Sequence, residues 1–240
     1  MDRVKTGVRG LDDLLGGGVP KGFIVGVIGG PGAGKSILGL QFIWQGISDG
    51  EDVLYIALEG GTDRIEQQAA QFGWGLNGSQ RFHTFTQGSE DVKMMVSRIS
   101  EHVKKYNVKR LVIDSMSLYN LFTKAQFSYD LQFARVGLKT MSEKSNRLIV
   151  DEVRGSGLTT IALVEDYEGM PNEDKILEFA CGGVIHLSTN PALDTRSLRI
   201  VKMRETKHPL GASQFEIKDN GIELHKKAAE KQANPPMGMR

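Results

Sequence analysis

Residues 23–36 read FIVGVI-GGPGAGKS, a short apolar run that leads directly into a glycine-rich loop. The apolar run at residues 23–28 is β-rich and predicts a buried strand. Leu38, Phe42 and Ile43 recur at helical spacing and predict an amphipathic helix over about 35–48. Residues 29–36 match the pattern G-x-x-x-x-G-K-[ST] without a gap. A strand, this loop and a helix in this order predict a phosphate-binding loop.

The residue types in this loop suit a nucleoside triphosphate. Glycines let several backbone N–H groups converge on a phosphate, and the helix N-terminus adds a positive dipole there. Lys35 would bring a charge to the β- and γ-phosphates, and the Ser36 hydroxyl would ligate Mg²⁺. A glycine-rich turn with a chance lysine is the alternative, against which the unbroken match argues. The sequence predicts bound ATP and Mg²⁺, with nucleotide-binding residues Gly30, Pro31, Gly32, Ala33, Gly34, Lys35, Ser36 and Ile37.

Two acidic residues follow other buried strands. Asp114 closes the apolar strand predicted at 110–114 and would be the second Mg²⁺ ligand, although an aspartate there could also cap a helix. Glu59 follows the strand predicted at 53–58, at the edge where ligands collect in open α/β sheets. We expect Glu59 to orient the attacking water, the alternative being an ordinary exposed glutamate.

The remaining pattern predicts an α/β fold with a mostly parallel central sheet flanked by helices and a C-terminal antiparallel extension. A short helix within the first twenty residues precedes the loop. Further parallel strands are expected at 81–85 and 158–164, and helices at 62–72, 91–105 and 129–154. The antiparallel strands are expected at 183–187, 196–203, 213–217 and 222–224. Residues 1–224 form a single predicted domain, and the polar residues 225–240 a disordered tail.

Composition narrows the class of protein. The chain has 240 residues, with 30 Lys and Arg against 29 Asp and Glu. Its net charge is therefore close to zero and gives no reason to expect a nucleic-acid-binding protein. Cys181 is the one cysteine, so an internal disulfide and a multi-cysteine metal site are excluded. The apolar runs are too short to cross a membrane, and the first residues do not form a signal peptide. We therefore expect a cytoplasmic protein.

Several stretches together resemble the KaiC-like branch of the RecA superfamily of ATPases. Besides the phosphate-binding loop, they are residues 6–12, 15–22, 53–59, 72–74, 112–115, 158–165 and 202–208. The resemblance spans about residues 4–224. It implies a RecA-like fold that assembles as a homo-oligomer, a hexameric ring or a filament, with ATP at the interface between subunits. It also implies that Lys202 and Arg204 supply positive charge to the γ-phosphate of the neighbouring subunit, and that His208 is a further interfacial residue.

The spacing of Lys202 and Arg204 agrees with this role. Residues two apart on a strand point to one face, although two solvated surface charges would show the same spacing. One departure concerns hydrolysis, because the family usually has two consecutive glutamates where this chain has Glu59 and Gly60. Slow hydrolysis is one expectation from this change. The alternative is a scaffold that binds ATP to control its assembly without hydrolysing it.

A RadA-like recombinase paralogue that assists DNA repair is a further alternative within the superfamily. The corresponding second loop, residues 165–175, holds five acidic residues and one basic residue, the opposite of what a phosphate-tracking groove needs. The first loop, residues 117–129, has Lys124 as its one basic residue among several aromatic ones. DNA binding is therefore possible but disfavoured. A modest basic patch could still form from Lys104, Lys105, Lys109 and Arg110.

Overall fold

The protein is described here from a computed structural model. The structure describes residues 1–58, 61–86, 92–116, 147–166 and 180–225. Glu59 and Gly60, the loop at 117–129, most of the acidic loop and the tail after residue 225 lie outside the described residues.

One large sheet organises the described residues. Its strands are β3 (Ile24–Gly29), β4 (Val53–Ala57), β5 (Phe82–Thr86), β6 (Arg110–Asp114), β7 (Thr159–Glu165), β8 (Gly183–Asn190), β9 (Thr195–Met203), β10 (Ser213–Lys218) and β11 (Gly221–Leu224). They follow the order β11-β10-β9-β8-β3-β7-β6-β4-β5. The pairs from β8 to β5 are parallel, and those from β8 to β11 are antiparallel. The predicted fold class, a mostly parallel sheet with a C-terminal antiparallel extension, is confirmed.

Helices cover both faces of this sheet. They are α1 (Leu11–Leu14), α2 (Lys35–Ser48), α3 (Thr62–Ala70), α4 (Val92–Tyr106) and a fifth helix, α5, over 147–156. Helices α1, α2 and α3 pack on one face, where Phe42 and Leu38 meet strand residues such as Val112. Helices α4 and α5 pack on the other, where Ile99 and Val153 lie in the second apolar cluster. Strands buried on both sides explain the continuous apolar runs in the sequence.

The short helix expected within the first twenty residues is present as α1. Only α1 is helical there, and it lies between two short strands, β1 (Arg3–Val4) and β2 (Val19–Pro20), that pair antiparallel. Gly16, Gly17 and Gly18 all have positive φ and turn the chain back after the helix. Two-residue strands show no alternation, so periodicity could not reveal them.

Other boundaries shift by one to three residues. Helix α2 has the predicted limits and β6 begins and ends as predicted. The strand predicted at 183–187 extends to Asn190, where a short 3-10 turn, Pro191–Leu193, connects it to β9. Part of the long helix predicted at 129–154 is described, as α5.

Candidate functional site

The glycine-rich loop connects the C-terminal end of β3 to the first turn of α2. Gly32 and Gly34 have φ values of +74° and +97°, which side-chain-bearing residues rarely adopt. The Ala33 N–H donates to Gly30 O at 3.2 Å, and the Leu38 N–H donates to Gly34 O at 3.0 Å. The loop therefore curls tightly onto the helix N-terminus, the arrangement that binds phosphate groups in proteins.

The side chain of Lys35 is held across this loop. Its ammonium donates to Gly30 O and to Glu165 Oε2, both at 2.9 Å, and the side chain is 5% exposed. Glu165 ends β7, where it pairs with Gly29 in the adjacent strand β3. In the sequence Glu165 is the first residue of an acidic loop, and its contact with the lysine was not predicted. The position of Glu165 at the end of an apolar strand indicated that it lies at an end of the sheet. The sequence did not show that this strand is the neighbour of β3, so the contact could not be predicted.

Asp114 ends β6, two strands away from β3, and is bonded to Tyr55. The Tyr55 hydroxyl donates to Asp114 Oδ2 at 2.5 Å. Burial, with a further contribution from the negative charge of Asp114, raises the pKa of Tyr55 well above its usual value. The phenol therefore stays a hydrogen-bond donor at neutral pH. Tyr55 was missed because a tyrosine inside a strand is an ordinary β-forming residue.

Ser36 and Asp114 belong to two elements, α2 and β6, that pack against each other. Gly39 of α2 packs so closely on β6 that a Cβ atom there would lie 3.1 Å from Val112 Cγ1. Ser36 lies three residues before Gly39 in the helix, and Asp114 two residues after Val112 in the strand. Because of these spacings, Ser36 lies on the same side of α2 as Gly39, and Asp114 lies on the same side of β6 as Val112. A hydroxyl and a carboxylate on packed elements beside a phosphate loop suit Mg²⁺, which prefers oxygen ligands.

The antiparallel extension packs beneath the loop. A Cβ atom on Gly34 would lie 3.5 Å from Ile217 Cδ1 and 3.6 Å from Ile222 Cδ1, in β10 and β11. The Gln41 side chain of α2 accepts from Ile222 N–H at 2.8 Å and donates to Ile222 O at 3.2 Å. The C-terminal strands thus support the phosphate loop and α2 directly.

Lys202 lies in β9, two strands away from β3, the strand that leads into this loop. It pairs with Val184 of β8, which in turn pairs with Gly26 of β3. Gly26 precedes Gly29 by three residues, or about 10 Å along the strand, and β9 is two strands, or about 10 Å, from β3. The structure therefore does not bring Lys202 together with Lys35 within one chain.

Arg204 lies just beyond β9 rather than within it, because the strand ends at Met203. The Arg204 N–H still donates to Gly182 O at 2.9 Å, and the intervening Met203 is buried while Arg204 is exposed. This alternation keeps Lys202 and Arg204 on the same side of the chain. His208 follows in the same connection, half-buried, with its Nδ1 atom 3.1 Å from Pro209 O.

The structure describes parts of three further predicted features: the segment before Glu59, the acidic loop and the basic patch. Leu58 N–H donates to Asp114 O at 2.6 Å, so the chain leading to Glu59 passes beside Asp114. Of the acidic loop, Glu165 contacts Lys35 and Asp166 Oδ2 lies 3.2 Å from His186 Nε2. Arg110 is 1% exposed, so it contributes nothing to a basic surface patch.

Within the described part of the chain, no helix has the length and apolar character needed to cross a membrane.

Comparisons with known proteins agree with this architecture. The family model described as "ATPase: KaiC" matches residues 4–229. A UPF0273 protein of Aeropyrum pernix is 31% identical over 249 residues, covering 92% of this chain and 93% of that protein. A UPF0273 protein of Thermotoga maritima is 32% identical over 249 residues, covering 93% and 96%. The crystal structure of a KaiC-like protein from Pyrococcus horikoshii superposes with a TM-score of 0.81 at 30% identity, covering 94% of this chain and 99% of that one.

Proposed function

This chain belongs to the KaiC family of P-loop ATPases, and we propose that it hydrolyses ATP with Mg²⁺ at the interface between two copies of itself. The observation that carries the proposal is the placement of Lys35, whose buried ammonium lies across a curled glycine loop at a helix N-terminus. A lysine in this position is suited to the β- and γ-phosphates of a nucleoside triphosphate.

The roles within one chain follow from the chemistry of its side chains. The backbone N–H groups of the loop at 30–37, except for Pro31, which has none, hold the phosphates, with Lys35 as a point charge. Ser36 and Asp114 hold Mg²⁺, and Tyr55 orients the Asp114 carboxylate through its hydroxyl. Bound Mg²⁺ neutralises the charge that develops on the phosphate oxygens. Glu59 orients the attacking water.

The remaining cations act on a neighbouring chain. Lys202 in β9 and Arg204 just after it are two strands away from β3 and their own phosphate loop, which supports delivery to a second subunit. His208, in the same connection, contributes to that interface. An arginine supplied in this way can raise the rate of phosphoryl transfer by about 10³-fold or more. The proposed assembly is a homo-oligomer, a hexameric ring or a filament.

A second candidate is an ATP-controlled scaffold that does not hydrolyse the nucleotide. Gly60, in place of the second glutamate usual in the family, favours it. In that case ATP binding would fix the oligomeric state, and Lys202 and Arg204 would hold the neighbouring subunit on the γ-phosphate rather than accelerate a reaction.

Phosphate release, measured beside light scattering after size-exclusion chromatography with and without ATP and Mg²⁺, distinguishes the two candidates. The ATPase predicts phosphate release that Lys35→Ala abolishes and that Lys21→Ala, at an exposed lysine, leaves unchanged. A shift in molar mass with ATP but no phosphate release would favour the scaffold. Turnover that survives Lys35→Ala would contradict the proposed site.

A further inference from the structure

The guanidinium of Arg3 joins the N-terminal ribbon to the connection that carries Arg204. It donates to Gly18 O at 3.3 Å, to Thr206 Oγ1 at 2.6 Å and to Glu205 O at 3.1 Å. The first acceptor belongs to the turn before β2, and the other two lie more than 200 residues away in sequence. A planar fork with several donors is suited to bridging two such segments.

The segment that carries Arg3 is firmly attached to the core. The carbonyl of Lys5 accepts from the buried Arg110 side chain at 2.7 Å, and the carbonyl of Gly7 accepts from Gln41 at 2.7 Å. Thr6 donates to Asp12 Oδ1 through its N–H and its hydroxyl, both at 2.7 Å. Arg3 therefore extends from a fixed base.

The ribbon itself also restricts where Arg3 can reach. Arg3 pairs with Pro20 and Val4 with Val19. Gly18 has a φ of +123°, and a Cβ atom there would lie 2.2 Å from Val4 O, so the two segments approach as closely as only glycine permits. This close approach holds the backbone of Val4, next to Arg3, against the turn that supplies Gly18 O.

The other end of the bridge is an exposed connection. Arg204 and Glu205 are exposed, and Glu205 has a positive φ of 58°. The Thr206 hydroxyl that accepts from Arg3 also donates to Arg204 O at 3.3 Å. Arg3 is thus bonded to the backbone of Glu205 directly and to that of Arg204 through one hydroxyl. Exposed connections sample many geometries unless such contacts hold them.

We propose that Arg3 is a positioning residue, which holds the connection at residues 204–208 so that Arg204 reaches the phosphates bound by a neighbouring subunit. The inference rests on the proposed function, since it assigns Arg3 to the same interfacial reaction. Arg3 acts through the Arg204 backbone, and a displacement of about 1 Å in such a group can lower a rate by about 100-fold.

The first test separates kcat from KM in a phosphate-release assay. Arg3→Ala lowers kcat by about tenfold while KM for ATP stays within about twofold, because the acceptors of Arg3 are Gly18, Glu205 and Thr206, and none of these belongs to the phosphate loop of the same chain. Arg3→Lys restores part of kcat by donating to one acceptor. Thr206→Val removes one of these bonds from the other partner and also lowers kcat, by less than Arg3→Ala because the bond to Glu205 O remains, so the test does not depend on the folding of one variant. Arg9→Ala, at an exposed arginine of the same segment, is the matched control. Equal loss in kcat for Arg9→Ala, or a rise in KM without loss of kcat for Arg3→Ala, overturns the inference.

The second test uses assemblies of two co-expressed variants. Lys35→Ala subunits have an inactive phosphate loop and an intact Arg3, and Arg3→Ala subunits have the reverse. Together they recover activity well above the mean of the two homogeneous preparations. In the mixed assembly a Lys35→Ala subunit, with its intact Arg3, can supply Arg204 to the intact phosphate loop of an Arg3→Ala subunit. A reference pair of Arg204→Ala with Lys35→Ala shows the same recovery. Recovery in the reference pair alone overturns the role of Arg3, whereas no recovery in the reference pair overturns the shared site and the inference with it.

Discussion

The ammonium of Lys35 lies 2.9 Å from a carboxylate oxygen of Glu165, so the phosphate loop and the end of β7 are joined by an ion pair. The Lys35 side chain is 5% exposed and that of Glu165 22%. At such burial the attraction is stronger than between two charges on the surface. Glu165 therefore competes with a bound phosphate for the same lysine, and its negative charge repels that phosphate.

Glu165→Gln tests this competition. The amide keeps a hydrogen-bond acceptor for Lys35 but removes the charge, so we expect ATP to bind about 3- to 10-fold more tightly, a gain of about 1 kcal/mol. Titration with a fluorescent ATP analogue measures the dissociation constant. Glu223→Gln, at a surface glutamate that pairs with Lys218, is the control and should leave the constant unchanged. Weaker binding by Glu165→Gln would mean that the carboxylate assists the nucleotide.

Tyr55→Phe tests how Asp114 is oriented. The substitution removes the hydroxyl that donates to Asp114 Oδ2 and leaves the ring in place. A carboxylate without this donor can rotate, so we expect the Mg²⁺ concentration for half-maximal turnover to rise about 10-fold or more, as for partners that orient metal ligands. A Mg²⁺ titration at saturating ATP measures this midpoint. An unchanged midpoint would separate Tyr55 from the metal site.

The same tyrosine makes stability depend on pH in the alkaline range. The pKa of Tyr55 is raised well above 10.0 by burial and by the charge of Asp114, so the folded protein keeps a proton that the unfolded chain loses. The contribution of Tyr55 is complete below pH 10 and is lost as pH rises from there towards the folded pKa. The slope reaches about 1.4 kcal/mol per pH unit. Urea unfolding at pH 9 and pH 11 should show a larger loss for the wild-type protein than for Tyr55→Phe, and equal losses would be the contrary result.

Arg110→Met tests a structural role far from the phosphate loop. The guanidinium is 1% exposed and donates to Asp49 at 2.8 Å, to Lys5 O and Phe42 O, and to Glu51. We expect its removal to lower the free energy of unfolding by about 3 kcal/mol, as for one partner of a buried pair, with ATP affinity unchanged. Lys109→Met, at the exposed neighbour, should cost less than about 0.5 kcal/mol. Chemical denaturation and an ATP titration measure the two quantities, and a loss of affinity without a loss of stability would contradict the assignment.

Local sequence patterns predicted most of the described helices and strands. Helix α2 was predictable to its end residues because its apolar face and the preceding glycine loop are both strong signals. Asp114 could be placed at a strand end because it follows a short continuous run of apolar residues. The strand order could not be obtained from periodicity, since it depends on how the elements pack together.

The contacts missed from sequence all join distant segments. Glu165 reaches Lys35 because β7 and β3 are neighbours, and Tyr55 reaches Asp114 because β4 and β6 are neighbours. Arg3 reaches Thr206 across the fold from a two-residue strand that leaves no pattern. Each of these residues is of a type that is common at its position, so the residue type alone did not indicate the contact.

A structure of the assembly with ATP and Mg²⁺ bound tests the central claim most directly. The account predicts that Lys202 Nζ and the Arg204 guanidinium of one subunit lie within about 4 Å of the γ-phosphate on the next subunit's phosphate loop, a distance typical of an ion pair. The account would be contradicted if these two side chains pointed to solvent while the nucleotide was bound entirely by one chain.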